Sequence, residues 1–170
     1  GIQWSAAGAG VNAAVYALCG YKGILYAAGG FDSAAGQPAT YLASWDGVKW
    51  TPVTGLVRVN KGIFPKNTAI GLCALTVYDS LLIVGGYIDS AGGQPANYIA
   101  QWDGTKWYSL GGGTNGVVNA LCFYDSLLYA GGSFDSAGGQ PAKNIAVWNG
   151  SKWMPVAKSV NSTVCSLDAN

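Results

Sequence analysis

Asp89-Ser-Ala-Gly-Gly-Gln-Pro-Ala96 and, a few residues on, Trp102-Asp-Gly-Thr-Lys-Trp107 decide how this chain is read, because each string occurs three times. The first recurs as Asp32-Ser-Ala-Ala-Gly-Gln-Pro-Ala39 and Asp135-Ser-Ala-Gly-Gly-Gln-Pro-Ala142. The second recurs as Trp45-Asp-Gly-Val-Lys-Trp50 and Trp148-Asn-Gly-Ser-Lys-Trp153. Both strings advance by 57 residues and then by 46, so they mark one repeating unit. Trp4 lies 46 residues before Trp50 and closes a preceding copy, which makes all seven Trp repeat positions. The basic period is 46. The longer interval holds an insertion of 11 residues between Val53 and Leu72: Trp107 to Val118 spans 11 residues, Trp50 to Leu72 spans 22.

Inside each copy, short runs rich in Val, Ile, Leu, Tyr and Trp alternate with Gly, Asp, Asn and Pro, the pattern of short strands and tight turns. Four strands fit. In the third copy they are expected near Val118 to Tyr124, Leu127 to Phe134, Asn144 to Trp148 and Lys152 to Val156. Asp125-Ser126 and Asn149-Gly150 are expected to be two-residue connections, the second having the dipeptide suited to a type I′ hairpin. No segment carries a 3.6-residue apolar stripe, so a helical reading fails.

A four-stranded sheet of about 46 residues cannot bury both faces alone, so neighbouring copies must stack face to face. That is the logic of a β-propeller blade. A Gly pair closes the second strand at Gly85-Gly86 and Gly131-Gly132, with Ala28-Gly29 in the first copy, and removes bulk where sheets crowd. Together with an aromatic on the third strand and a Trp on the fourth, these features resemble the kelch-type repeat of kelch propellers and the central domain of galactose oxidase. The resemblance covers nearly the whole chain and departs in the short Trp-Asp-Gly-x-Lys-Trp hairpin, so it implies a divergent, kelch-like, all-β propeller segment. It does not carry over the oxidase chemistry, which needs His ligands that are absent here. Ser44-Trp-Asp46-Gly-Val-Lys-Trp50 also resembles the Asp-containing turn of sialidases, but those clamp a carboxylate with several Arg, and the chain has one.

The expected organisation is a single segment: 1–10 as the last strand of a preceding blade, 11–54 as blade one, 55–68 as the insertion loop, 69–111 as blade two, 112–157 as blade three and 158–170 as the first strand of a following blade. Unfinished sheets at both ends leave edge backbone open to pairing. The expectation is therefore either a piece of a longer propeller or a subunit whose copies complete one another's sheets. The chain opens on Gly1 without Met or a signal-peptide pattern, so its start gives no address.

Composition narrows the chemistry. All eight acids are Asp, there is no Glu or His, and Arg58 is the one Arg, which leaves few parts for acid-base or metal catalysis. A net charge of +1 does not suit a phosphate backbone, and no apolar run approaches the roughly 20 residues of a membrane helix. The Asp residues fall on repeated turns: Asp46 and Asp103 in one, Asp79 and Asp125 in another, and Asp32, Asp89 and Asp135 at the head of the long loop, with Asp168 alone outside these sets. Cys19, Cys73, Cys122 and Cys165 sit at two repeat positions on successive copies, too far apart for disulfides, and are expected as buried free thiols. No spacing supports zinc.

Three surfaces remain as candidates. Asp32, Gln37, Asp89, Gln94, Asp135 and Gln140 form a repeated acid and amide set suited to sugar hydroxyls, with a packing turn as the plainer reading. Arg58, Lys61, Phe64 and Lys66 in the insertion are the one basic, non-repeated surface, either a partner contact or a plug at a blade junction. Asn149 and Asn161 head glycosylation sequons. The expected function is a non-catalytic scaffold without cofactor or metal, outside the cell or on a particle surface. It would contact protein or further copies of itself. A sugar-binding propeller and a non-catalytic fragment of a larger propeller enzyme are the alternatives.

Overall fold

A computed structural model describes residues 5–58, 71–156 and 160–169. Every regular element among them is a β-strand. In chain order these are β1 (Val15–Tyr21), β2 (Ile24–Gly29), β3 (Ser33–Ala34), β4 (Gln37–Pro38), β5 (Leu42–Trp45) and β6 (Trp50–Pro52); then β7 (Leu56–Arg58); then β8 (Leu72–Tyr78), β9 (Leu81–Gly86), β10 (Ile88–Ala91), β11 (Gln94–Pro95), β12 (Ile99–Trp102) and β13 (Trp107–Ser109); and finally β14 (Val117–Tyr124), β15 (Leu127–Ser133), β16 (Ser136–Ala137), β17 (Gln140–Pro141), β18 (Ile145–Trp148) and β19 (Trp153–Pro155). Twelve of them form three four-stranded antiparallel sheets, ordered β1-β2-β5-β6, β8-β9-β12-β13 and β14-β15-β18-β19, here called sheets 1, 2 and 3, and the short strands between them form smaller sheets of two or three. Each numbered sheet is one copy of the repeat.

The first turn of each sheet is a two-residue connection with both residues at positive φ: Lys22-Gly23, Asp79-Ser80 and Asp125-Ser126. This is the type I′ geometry that matches strand twist. The expectation for Asn149-Gly150 needs correcting. Gly150 has a φ of 93° while Asn149 does not enter the left-handed region, and Trp148 pairs directly with Trp153 across four intervening residues. The cause is local. The Asn149 side-chain oxygen accepts the amides of Ser151 at 3.0 Å and Lys152 at 2.9 Å, which winds the chain into a longer turn.

Each first strand also carries an irregularity of register, between Val15 and Ala17, Leu72 and Ala74, and Val118 and Ala120. A bulge at this point resets the alternation of sides. It lets residues three apart, Leu72 with Leu75 and Val118 with Leu121, serve the same face of a strand. Leu72 and Leu75 belong to the core between sheets 1 and 2, with Tyr21, Tyr26, Ala28, Leu82 and Val84. Val118 and Leu121 belong to the core between sheets 2 and 3, with Ala74, Ile83, Leu128 and Ala130.

The Gly pair works at these seams. A Cβ on Gly85 would lie 2.7 Å from Cγ1 of Val118 in the next sheet. Residues 160–169 repeat the relation without forming a strand: a Cβ on Gly131 would lie 2.5 Å from Cγ1 of Val164, and Leu167 stands beside it as Leu121 stands beside Gly85. The Val164 amide donates to Gly132 O at 3.1 Å. Cys165, expected as buried, is exposed because this segment is packed from one side only; Cys19, Cys73 and Cys122 are half-buried, and all four are free thiols.

Candidate functional site

The repeated octapeptide is a small hairpin rather than an irregular loop. Ala34 pairs with Gln37, Ala91 with Gln94 and Ala137 with Gln140, and the intervening residues Ala35-Gly36, Gly92-Gly93 and Gly138-Gly139 all have positive φ. Gly-Gly is the sequence signal for such a turn. The hairpin is held on its own sheet by its two alanines: Ala34 and Ala39, Ala91 and Ala96, Ala137 and Ala142 are all buried. Its first Asp contributes through the backbone, Asp32 O, Asp89 O and Asp135 O each accepting the amide of the octapeptide's last Ala at 2.8 Å.

Beneath each hairpin lies the Trp pair of the third and fourth strands, with ring centroids 5.4 Å apart for Trp45 and Trp50, 4.8 Å for Trp102 and Trp107, and 5.5 Å for Trp148 and Trp153. The second Trp of each pair donates its indole N–H to the backbone that leads into the sheet: Trp50 to Ala7 O at 2.7 Å, Trp107 to Thr54 O at 2.8 Å and Trp153 to Leu110 O at 2.9 Å. Octapeptide, Trp pair and linking segment are thus one packing unit. The repeated Ala and turn Gly positions of the octapeptides follow from that packing.

The sequence-predicted acid and amide set separates in space into two roles. Asp32 turns to Asn12, whose Nδ2 donates to Asp32 Oδ1 at 2.6 Å, while Asn12 Oδ1 accepts the amides of Asp32 and Ser33. Asn115 Oδ1 accepts the amides of Asp135 and Ser136 in the same way. Asp89 is half-buried at the start of its hairpin. Gln37, Gln94 and Gln140 are exposed on the hairpin's second strand. Gln140 borders an open groove of about 480 Å³ with Pro141, Trp148, Ser151, Lys152 and Met154. The indoles below it are covered, Trp148 being 8% and Trp153 3% exposed, so little ring face is presented.

The insertion begins as strand β7, which pairs with β10 and widens the sheet 2 hairpin to three strands. Single bridges, Val11 with Ala34 and Thr114 with Ala137, occupy this place in the other two copies. Arg58 ends β7 opposite Ile88. Lys61, Phe64 and Lys66 lie outside the described residues. Asn149 and Asn161 are both exposed.

Turn acids carry the perturbed electrostatics. Asp103 Oδ1 accepts the amides of Thr105 at 2.6 Å and Lys106 at 2.7 Å and the Thr105 hydroxyl at 2.8 Å, and Oδ2 accepts the Tyr108 hydroxyl at 2.9 Å. These donors, the Lys106 amide first, hold its carboxyl well below the ordinary 3.8. A depressed folded value makes the stabilisation complete at neutral pH, and it is lost as pH falls from about 3.8 toward that value. A carboxyl-carbon NMR titration is expected to find Asp103 still ionised at about pH 3, where an ordinary aspartate is mostly protonated. Co-titration with a free aspartate would refute this.

Among the described residues no group of three His, Cys, Asp or Glu is placed to hold a metal ion, and no helix is long and apolar enough to cross a membrane. Compared with protein-family models and with curated proteins, the sequence matches none.

Proposed function

We propose that the chain is a non-catalytic scaffold whose sheets fan about a common axis in a kelch-like propeller arrangement, and that it works by contact with protein, further copies of itself included. One observation carries the reading: the same seam between sheets occurs twice. First strands lie against first strands across the seams, β1 with β8 and β8 with β14. The fourth strands instead reach linking backbone, through Trp107 to Thr54 and Trp153 to Leu110. Sheets close at their first strands and tied by linkers at their fourth suit radial stacking. The turn acids are engaged in capping: Asp46 Oδ1 accepts the amides of Val48 and Lys49 at 2.8 Å each, as Asp103 does in the next copy. Such acids are committed to fold rather than to turnover.

A sugar-binding reading is favoured by one feature, the groove bordered by Gln140 and Lys152. Amide spectra of the isotope-labelled chain separate the two. The scaffold reading expects shifts at the exposed sheet residues Leu18, Leu25 and Tyr124 as the chain is concentrated, and none on addition of a glycan panel. Glycan-induced shifts at Gln94 and Gln140 would establish the sugar-binding reading instead, and a chain inert to both additions would overturn the scaffold.

A further inference from the structure

The two outer faces of the stack are made of residues that the repeat buries elsewhere. Leu25 is 37% exposed on sheet 1, whereas its repeat equivalents Leu82 and Leu128 are 0% exposed. Leu18 is 60% exposed and its equivalent Leu121 is 9%. At the other end, Tyr124 of sheet 3 is 51% exposed, while its equivalent Tyr21 is 3%. Tyr129, half-buried, corresponds to Tyr26, which is 6% exposed. The residue types have not changed between copies; only the covering sheet differs.

The two faces are also complementary to each other. On the inner side of sheet 1, Ala17, Cys19, Tyr21 and Tyr26 are packed in the core they share with Leu75 and Leu82 of sheet 2. Sheet 3 turns Tyr124 and the half-buried Cys122 and Tyr129 outward at the positions of Tyr21, Cys19 and Tyr26, with Ala120, 6% exposed, at the position of Ala17, and sheet 1 presents Leu18 and Leu25 outward at the positions of Leu75 and Leu82. The open ends are therefore the two halves of a seam that the chain already contains. None of these six side chains is charged.

One segment stands in the way. Val164 and Leu167 occupy on Gly131 the place that Val118 and Leu121 occupy on Gly85. The residues of β1 at those repeat positions are Val15 and Leu18. Resting on the scaffold reading above, we propose that a second copy of this chain docks head to tail, its sheet 1 face on the sheet 3 face, with its β1 taking the place of residues 160–169. The segment is a stand-in that offers one strand's worth of side chains. The incoming sheet offers the same two side chains and adds Leu25, covering Tyr124 and Tyr129, which the segment leaves open. Exchange of like for like with added apolar burial is favourable. A head-to-tail contact leaves one free half at each end, so it builds a ring if the rotation closes and a filament if it does not.

Complementation tests this in the 170-residue chain by sedimentation velocity. Leu18→Asp blocks one half and Tyr124→Asp the other; both residues are exposed, so both variants are expected to melt with the wild type. Wild type is expected to form species larger than the 17.4 kDa chain as concentration rises, and each variant alone to remain at that mass. A one-to-one mixture retains one intact pair of faces and is expected to give a dimer and nothing larger. Leu167→Asp, which weakens only the stand-in, is expected to tighten association about tenfold, the worth of one partly buried leucine. Wild type that stays monomeric to its solubility limit overturns the proposal. So does a mixture that fails to dimerise while wild type associates, but that result leaves the scaffold reading standing, with contact through another surface.

Discussion

Trp153→Ala is expected to lower the stability of the folded chain by about 3–5 kcal/mol, the range for truncating a buried aromatic. Trp153 is 3% exposed, packs on Trp148 at 5.5 Å, and carries on its face the hairpin tip, where a Cβ on Gly138 would lie 3.0 Å from the indole. Truncation therefore opens a cavity shared by the fourth strand, the octapeptide hairpin and the linking segment. It also removes the donor to Leu110 O, held at 2.9 Å in a buried setting. Trp153→Phe separates the two effects: it keeps most of the ring and removes one of two donors to the Leu110 carbonyl, which still accepts the Gly113 amide at 2.9 Å, a loss of about 0.5–1.5 kcal/mol. Val48→Ser is the control, because Val48 is 83% exposed at the tip of the equivalent turn in sheet 1, and a change of less than about 0.5 kcal/mol is expected. Urea midpoints read all three. Should Trp153→Ala cost no more than Val48→Ser, the Trp pair is not what fastens hairpin and linker to the sheet.

Period, strand number and the burial of the seams were legible from residue order because turn dipeptides punctuate apolar runs at a fixed interval. Two local features were not read. The Gly92-Gly93 turn was visible as a hairpin signal, but only two residues pair on each side of it and Asp, Ser and Pro flank them, so the string reads as a loop. The bulge hid in plain view: Val15 and Leu18, Leu72 and Leu75, Val118 and Leu121, Val164 and Leu167 repeat a spacing of three that alternation cannot place on one face. Asn149-Gly150 misled for the opposite reason, since a dipeptide suited to type I′ was drawn into a four-residue turn by the Asn149 side chain. The acids were legible as turn residues, and Asp46 and Asp103 cap backbone amides as their position implies. The open faces were beyond reach of residue order. Leu18 and Leu121 are the same residue at the same repeat position, and what separates them is the sheet lying over one of them.

Gly132→Ala is expected to cost about 3 kcal/mol or more, at the upper end for overpacking, because the added carbon would meet backbone rather than side chain. Its Cβ would fall on the Val117 carbonyl oxygen; the equivalent carbon on Gly29 would fall on Ala14 O, and on Gly86 it would lie 2.5 Å from Gly71 O. Each oxygen belongs to the residue that opens the first strand, as Val117 does, or immediately precedes it, as Ala14 and Gly71 do, and the ladder fixes the path there, so the backbone has little room to yield. The first Gly of the pair is different in kind. A Cβ on Gly85 meets Val118 Cγ1, the end of a side chain, and sheet 1 already carries Ala28 at that position. Ala28 shares its core with Leu72, the equivalent of Val118, and both are 0% exposed, so an Ala and Leu pairing fits this seam. Gly85→Ala alone is expected to cost about 1 kcal/mol, and adding Val118→Leu to restore most of it, a coupling of about 1 kcal/mol in a double-mutant cycle. No pair of substitutions at Gly132 should recover in this way, since its obstruction is a peptide carbonyl. If Gly132→Ala proved as mild as Gly85→Ala, the close approach of strand and carbonyl would not be what keeps glycine at Gly29, Gly86 and Gly132 while its neighbour is free to become alanine.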